Sequence, residues 1–103
     1  MADLTTFVVI YRYVPDMEHR RAPHRDEHLR WIHELAEQGR MLLAGAVQDP
    51  VDSAILVMRA TDLHETRRLL IDDPYAKANL ITEVVARPIG LAIGGSGEGP
   101  RPR

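Results

Sequence analysis

Four segments of this chain are apolar on both of their alternating faces, and only two helical segments stand between them to cover that surface. In residues 5–13, Phe7, Val9 and Tyr11 fall on one side of an extended chain and Val8 and Ile10 on the other. This β-branched and aromatic content predicts a strand. Residues 41–47 read the same way. Residues 53–59 alternate Ala54, Leu56 and Met58 against Ile55 and Val57, and residues 80–88 supply a fourth strand. Between the first two strands, Leu29, Ile32, Leu35 and Ala36 recur at helical spacing, with Arg30, Glu34 and Glu37 mostly outside the stripe. The spacing predicts a helix over 26–38, stopped by Gly39 in a left-handed conformation. A second helix is expected over 62–72, opened by Asp62 with Glu65 three residues on as a reciprocal cap. Pro74 ends it and pushes Asp73 out of helical geometry. Residues 14–25, bounded by Pro15 and Pro23, are expected to be a polar loop, 48–52 a turn, and 76–79 one further helical turn.

The order β-α-β-β-α-β points to an α+β, ferredoxin-like fold with an antiparallel sheet. Two helices cover one face of such a sheet and leave the other bare. A monomer rarely tolerates an exposed apolar face of that size. The simplest resolution is a homodimer through the sheet face, in which a second copy packs sheet on sheet. At 103 residues the chain has room for one domain, expected over 1–93. Residues 94–103 hold four of the seven glycines and two of the seven prolines, and are expected to be a disordered tail without a site.

Composition excludes several classes of chemistry. There are no cysteines, hence no disulfide, thiolate nucleophile, thiolate zinc site or iron–sulfur ligation. Thirteen basic residues stand against 15 acidic ones, a net of −2, and no surface for nucleic acid or an anionic membrane is advertised. The apolar run Phe7 to Ile10 is too short for a membrane span, and Asp3 stands where a signal peptide carries a basic residue; a cytoplasmic location is expected. No phosphate-binding glycine loop, nucleophile elbow or dinucleotide fingerprint occurs.

The informative stretch is residues 20–29. His28 lies four residues before Ile32, at the N-terminal edge of the apolar stripe, and is expected to point under the sheet. It reads either as a hydrogen-bonded structural histidine or as a proton-transfer group. Asp73 reads either as turn chemistry before Pro74 or as the carboxylate that orients His28. A carboxylate on one imidazole nitrogen fixes the tautomer and leaves the other nitrogen as base, and such a pair moves a proton without a cofactor. His24 and His28 are spaced i, i+4, as metal-binding pairs are, but Arg25 stands where a metalloprotease carries glutamate, and no metal is expected. Arg21 precedes His28 by two turns at most and is a candidate for an anionic substrate group. Tyr11, Tyr13, Trp31 and Tyr75 either line a pocket or pack in the core. His33 is expected at packing or surface, and His19 and His64 in solvent.

Several of these segments together resemble the YCII-related (YciI-like) family: residues 7–11, Arg21-Ala22-Pro23-His24 through His28-Leu29, residues 39–45, and Asp73-Pro74-Tyr75. The resemblance covers residues 5–90. It implies a dimeric α/β barrel of ferredoxin-like subunits, with His28 and Asp73 matching the family's active-site pair. It also implies kinship with a cofactor-free dehydrochlorinase of chlorinated hydroxyquinols. Muconolactone isomerases and small cofactor-free monooxygenases share the broader fold. Two departures stand out: Pro23 lies five residues before the histidine rather than two, and Ala46 follows Gly45 where proline is frequent. The expected catalytic residues are His28 and Asp73. The expected substrate-binding residues are Arg21, Tyr11, His24 and Tyr75, with a small-molecule substrate and no cofactor. The expected reaction is elimination or isomerisation; the alternatives are a ligand-binding dimer and a cofactor-free monooxygenase.

Overall fold

A computed structural model describes residues 3–94 of the chain. Apart from Gly94, the segment expected to form a disordered tail lies outside the described residues. Strand β1 (Thr5–Tyr13) occupies the middle of a four-stranded antiparallel sheet. It pairs with β3 (Ser53–Ala60) on one side and β4 (Ile81–Pro88) on the other, and β2 (Met41–Val47) flanks β3, giving the order β2-β3-β1-β4. This is the ferredoxin-like α+β arrangement that the order of segments predicts.

Register assigns every side chain to a face. Val9 sits opposite Leu56 and Ala86, whereas Ile10 sits opposite Ile55 and Val85. The first set, with Tyr11 and Met58, is buried beneath the helices. The second set faces away from them: Ile10 and Ile55 remain 41% exposed, Val85 39%, and on β2 Leu43 56% and Val47 42%. The surplus of apolar faces read from the sequence is therefore present as an open apolar surface on the chain.

Helix α2 (Arg25–Glu37) covers the β2 side of the inner face, and α3 (Leu63–Ile71) lies against β3 and β4. Gly39, at φ 74°, closes α2 as expected: its amide bonds to Ala36 and the Arg40 amide to Leu35, which satisfies the last carbonyls. Asp62 caps α3 by accepting from the Glu65 amide at 2.8 Å. Glu65 reaches back one residue further than a reciprocal cap requires, to the Thr61 amide at 2.9 Å, and pairs with Arg40. That amide, and then Arg40, hold the Glu65 carboxyl below its ordinary range.

The expectation for residues 14–25 needs correcting. They are not a plain loop but contain a helical turn, α1 (Met17–Arg20), and a 3₁₀ turn, Ala22–His24. Proline in a first helical turn sacrifices no hydrogen bond, so Pro23 opens the 3₁₀ turn instead of breaking it. Met17 is driven to 1% exposure, which anchors α1 against the core. The further turn expected at 76–79 begins earlier, as α4 (Pro74–Lys77), with proline again in its first turn. Among the described residues no helix is long and apolar enough to cross a membrane.

Candidate active site

Three elements meet around one buried carboxylate. Asp73 is fully buried and sits at the N-cap of α4, where its Oδ1 accepts the Tyr75 amide at 2.9 Å. The same Oδ1 lies 2.7 Å from His28 Nδ1, on the first turn of α2. Its Oδ2 accepts from the Tyr11 hydroxyl of β1 at 2.9 Å. The two readings of Asp73 are thus both realised: it makes the turn and it holds the histidine. A carboxylate with three donors is compensated for its burial, and as an ion it only accepts hydrogen bonds. His28 Nδ1 therefore carries the proton of that contact, and in the neutral ring Nε2 holds the lone pair.

The imidazole is fixed in a second way. The Tyr75 ring stacks on it with centroids 3.7 Å apart and planes 6° from parallel, and Trp31 stands 6.1 Å away. A hydrogen bond in the ring plane and a stack upon its face together leave the imidazole little rotational freedom.

His28 and Tyr75 form part of the wall of a cavity of about 190 Å³, between α2 and the inner face of the sheet. Its floor is made by Ala44 and Ala46 of β2, which face Leu56 and Ala54 across the register. These short side chains leave space where longer ones would meet α2. Arg21, Arg25 and Tyr13 complete the polar rim.

All three tyrosines of the chain have raised pKa values. Burial is the largest cause each time. The Asp73 charge adds to it for Tyr11 and Tyr13, whereas for Tyr75 Arg21 and Arg25 pull the other way. The phenols thus remain protonated donors past pH 10, where a free tyrosine ionises. For stability the sign is unfavourable at high pH. The unfolded chain ionises its tyrosines near pH 10 and the folded chain does not. Stability is therefore fully present below that pH and falls as pH rises beyond it. Phenolate absorbance is expected to stay silent through pH 10 and then to rise together with the loss of circular dichroism. A phenolate signal titrating near pH 10 in folded protein would contradict this arrangement.

Of the residues singled out from the sequence, His28, Asp73, Tyr75 and Arg21 come together here. Two do not reach the cavity as expected. Tyr11 is fully buried behind Asp73, its hydroxyl committed to Oδ2, and is not a wall residue. His24 lies on the 3₁₀ turn just before α2 and lines a separate shallow hollow with Glu27 and Lys77, because that turn rotates it away from His28. His19, His33 and His64 are exposed. Arg25 is the functional candidate that sequence reading passed over. Arg25 and His28 stand three residues apart inside α2, which places them on one side of that helix, and Arg21 reaches the same cavity from the end of α1.

A model of the YCII-related domain matches residues 5–89 of the chain. Among solved structures, the chain is similar to the 5-chloro-2-hydroxyhydroquinone dehydrochlorinase of Burkholderia phenoliruptrix AC1100, determined with 2,5-dihydroxybenzoquinone bound. The TM-score is 0.71 at 18% identity, over 80% of this chain and 90% of that one. It is also similar to an uncharacterised NIPSNAP-like domain protein of Burkholderia xenovorans, with a TM-score of 0.56 at 16% identity, over 99% of this chain and 94% of that one. At such identities the likeness is one of fold. No curated protein matches the chain.

Proposed function

The chain belongs to the YCII-related family, and from that footing we propose that it is a small cofactor-independent enzyme in which His28, oriented by Asp73, transfers a proton. The substrate is a small oxygenated metabolite of aromatic or polyketide type, and the reaction an elimination, such as dehydrochlorination or dehydration, or an isomerisation. The observation that carries this reading is the buried 2.7 Å contact between His28 Nδ1 and Asp73 Oδ1 at the wall of a cavity. Nε2 takes a proton from a substrate C–H or O–H, and the electron pair of that bond enters a new double bond. In an elimination the leaving group departs with its own pair; in an isomerisation the proton returns at another atom. Asp73 stabilises the imidazolium in between. General acid–base catalysis of this kind contributes about 10²–10⁴-fold, which suits an activated substrate with an acidic proton.

The test is incubation of the purified protein with chlorinated hydroxyhydroquinones, the compound class of the dehydrochlorinase of similar fold. Chloride release and quinone absorbance above the buffer rate support the reading. Saturable binding with the compound unchanged over hours favours a ligand-binding protein instead, and oxygen uptake favours a monooxygenase.

The proposal includes a homodimer. Ile10 and Ile55 are cross-strand partners at the middle of the uncovered sheet face, with Leu43, Val47 and Val85 around them. A second copy of the same face is apolar in the same places and buries them by sheet-on-sheet packing. Light scattering is expected to give twice the chain mass of 11.6 kDa for the native protein, and the monomer mass for Ile55→Lys. A native protein that is monomeric at micromolar concentration would end the dimer proposal. His28 and Asp73 lie on the other side of the sheet, so the monomeric variant tests assembly separately from the site.

A further inference from the structure

The rim of the cavity carries two guanidinium groups, Arg21 and Arg25, and none of the residues that line it is acidic. Among the described residues neither guanidinium has a carboxylate within 4 Å. Asp73 is fully buried, and both of its oxygens are engaged by Tyr11, His28 and the Tyr75 amide. Beside these charges stands an orphaned donor. The Tyr75 side chain is 1% exposed and its buried hydroxyl has no hydrogen-bond partner among the described residues. A buried hydroxyl left unpaired is costly, so one that is retained beside a cavity points to a partner arriving from outside the chain. Arg25 is the neighbour placed to donate loosely to that hydroxyl, and since a guanidinium cannot accept, the phenol O–H itself still has no acceptor; both arginines act on the Tyr13 and Tyr75 phenols. The two cations and the phenol donor therefore converge on one region of the cavity.

We propose that this region is an anion subsite, in which Arg21, Arg25 and the Tyr75 hydroxyl hold a negatively charged oxygen of a planar, ring-sized ligand, so that a neutral ligand of the same shape is discriminated against. This deepens the proton-transfer reading by naming the charge of the substrate, and it rests on the substrate occupying the same cavity. Tyr75 then serves two ends: its ring braces the His28 imidazole and its hydroxyl binds. The fixed distance between ring face and hydroxyl sets where the anionic oxygen stands relative to Nε2. A cavity of about 190 Å³ suits a single ring rather than a larger compound.

The test uses two probes of nearly equal shape, benzoate and benzamide, titrated by NMR into the intact protein while the Tyr13, Tyr75 and Trp31 ring resonances report the place of binding. Benzoate is expected to bind at these resonances about tenfold or more tighter than benzamide, the size of one charge-assisted contact. The preference is expected to vanish in the Arg21→Gln, Arg25→Gln double variant and to shrink several-fold in Tyr75→Phe, which keeps the stacked ring. Equal binding of the two probes, failure of benzoate to bind, or a preference that survives in the double variant would each overturn the subsite. His28→Gln separates the two proposals. If it keeps the preference, the subsite stands whether or not proton transfer is ever found; turnover of a neutral ring compound with no preference for benzoate leaves the transfer and removes the subsite.

Discussion

Asp73→Ala is expected to cost the fold about 3–5 kcal/mol, the scale set by removing one partner of a buried polar cluster. Three donors lose their acceptor at once: His28 Nδ1, the Tyr11 hydroxyl and the Tyr75 amide. None has water to turn to, since Asp73 and Tyr11 are fully buried and Tyr75 and His28 nearly so. The total stability of a domain of this length is about 5–15 kcal/mol, so the loss takes a large part of it. The thermal midpoint is expected to fall by more than about 10 °C. Asp73→Asn is the informative companion. It keeps the volume and one acceptor oxygen but presents an amide NH₂ where an oxygen stood, so the fold is expected to survive while the histidine loses its orienting charge. A midpoint unchanged in Asp73→Ala would mean that the cluster is not assembled in solution.

His28→Ala is expected to lower turnover by about 10²–10⁴-fold with the fold retained. Asp73 keeps two of its three donors in this variant, the Tyr11 hydroxyl and the Tyr75 amide. The stability cost is therefore confined to one lost hydrogen bond and the gap left beside the Tyr75 ring, about 1–3 kcal/mol. That gap opens into the cavity, so added imidazole is expected to enter it and restore part of the turnover. Rescue identifies His28 as the group that handles the proton. A variant that folds, binds the substrate and turns it over at the native rate would remove His28 from the chemistry.

Much of the architecture was legible in the sequence. Residues 5–13 and 41–47 are strands over those same residues, because β-branched alternation and a glycine stop are local signals. The two-faced strands also disclosed a surface that the chain's own helices do not cover. The site was legible in its parts and not in its assembly. His28 and Asp73 are 45 residues apart, and nothing local states that the cap of α4 lands beside the first turn of α2. The same limit explains Tyr11. Strand alternation places it on the inner face but not at a depth, and it lies one layer too deep to meet a ligand. His24 lies apart for a different reason: the i, i+3 and i, i+4 rules hold only inside one continuous helix, and His24 closes the 3₁₀ turn that precedes α2. Arg25, three residues before His28 inside α2, obeys them.

The dual use of Asp73 Oδ1 ties the lifetime of the site to a single backbone amide. The Tyr75 N–H donates to the oxygen that also holds His28, at 2.9 and 2.7 Å. That proton exchanges with solvent when its bond to Oδ1 opens, as it does whenever the carboxylate turns out of the cluster and releases the imidazole. Deuterium uptake at this one position therefore clocks the opening of the acceptor that holds His28, with no substrate needed. An occupied cavity, by pinning the Tyr75 ring, slows that clock.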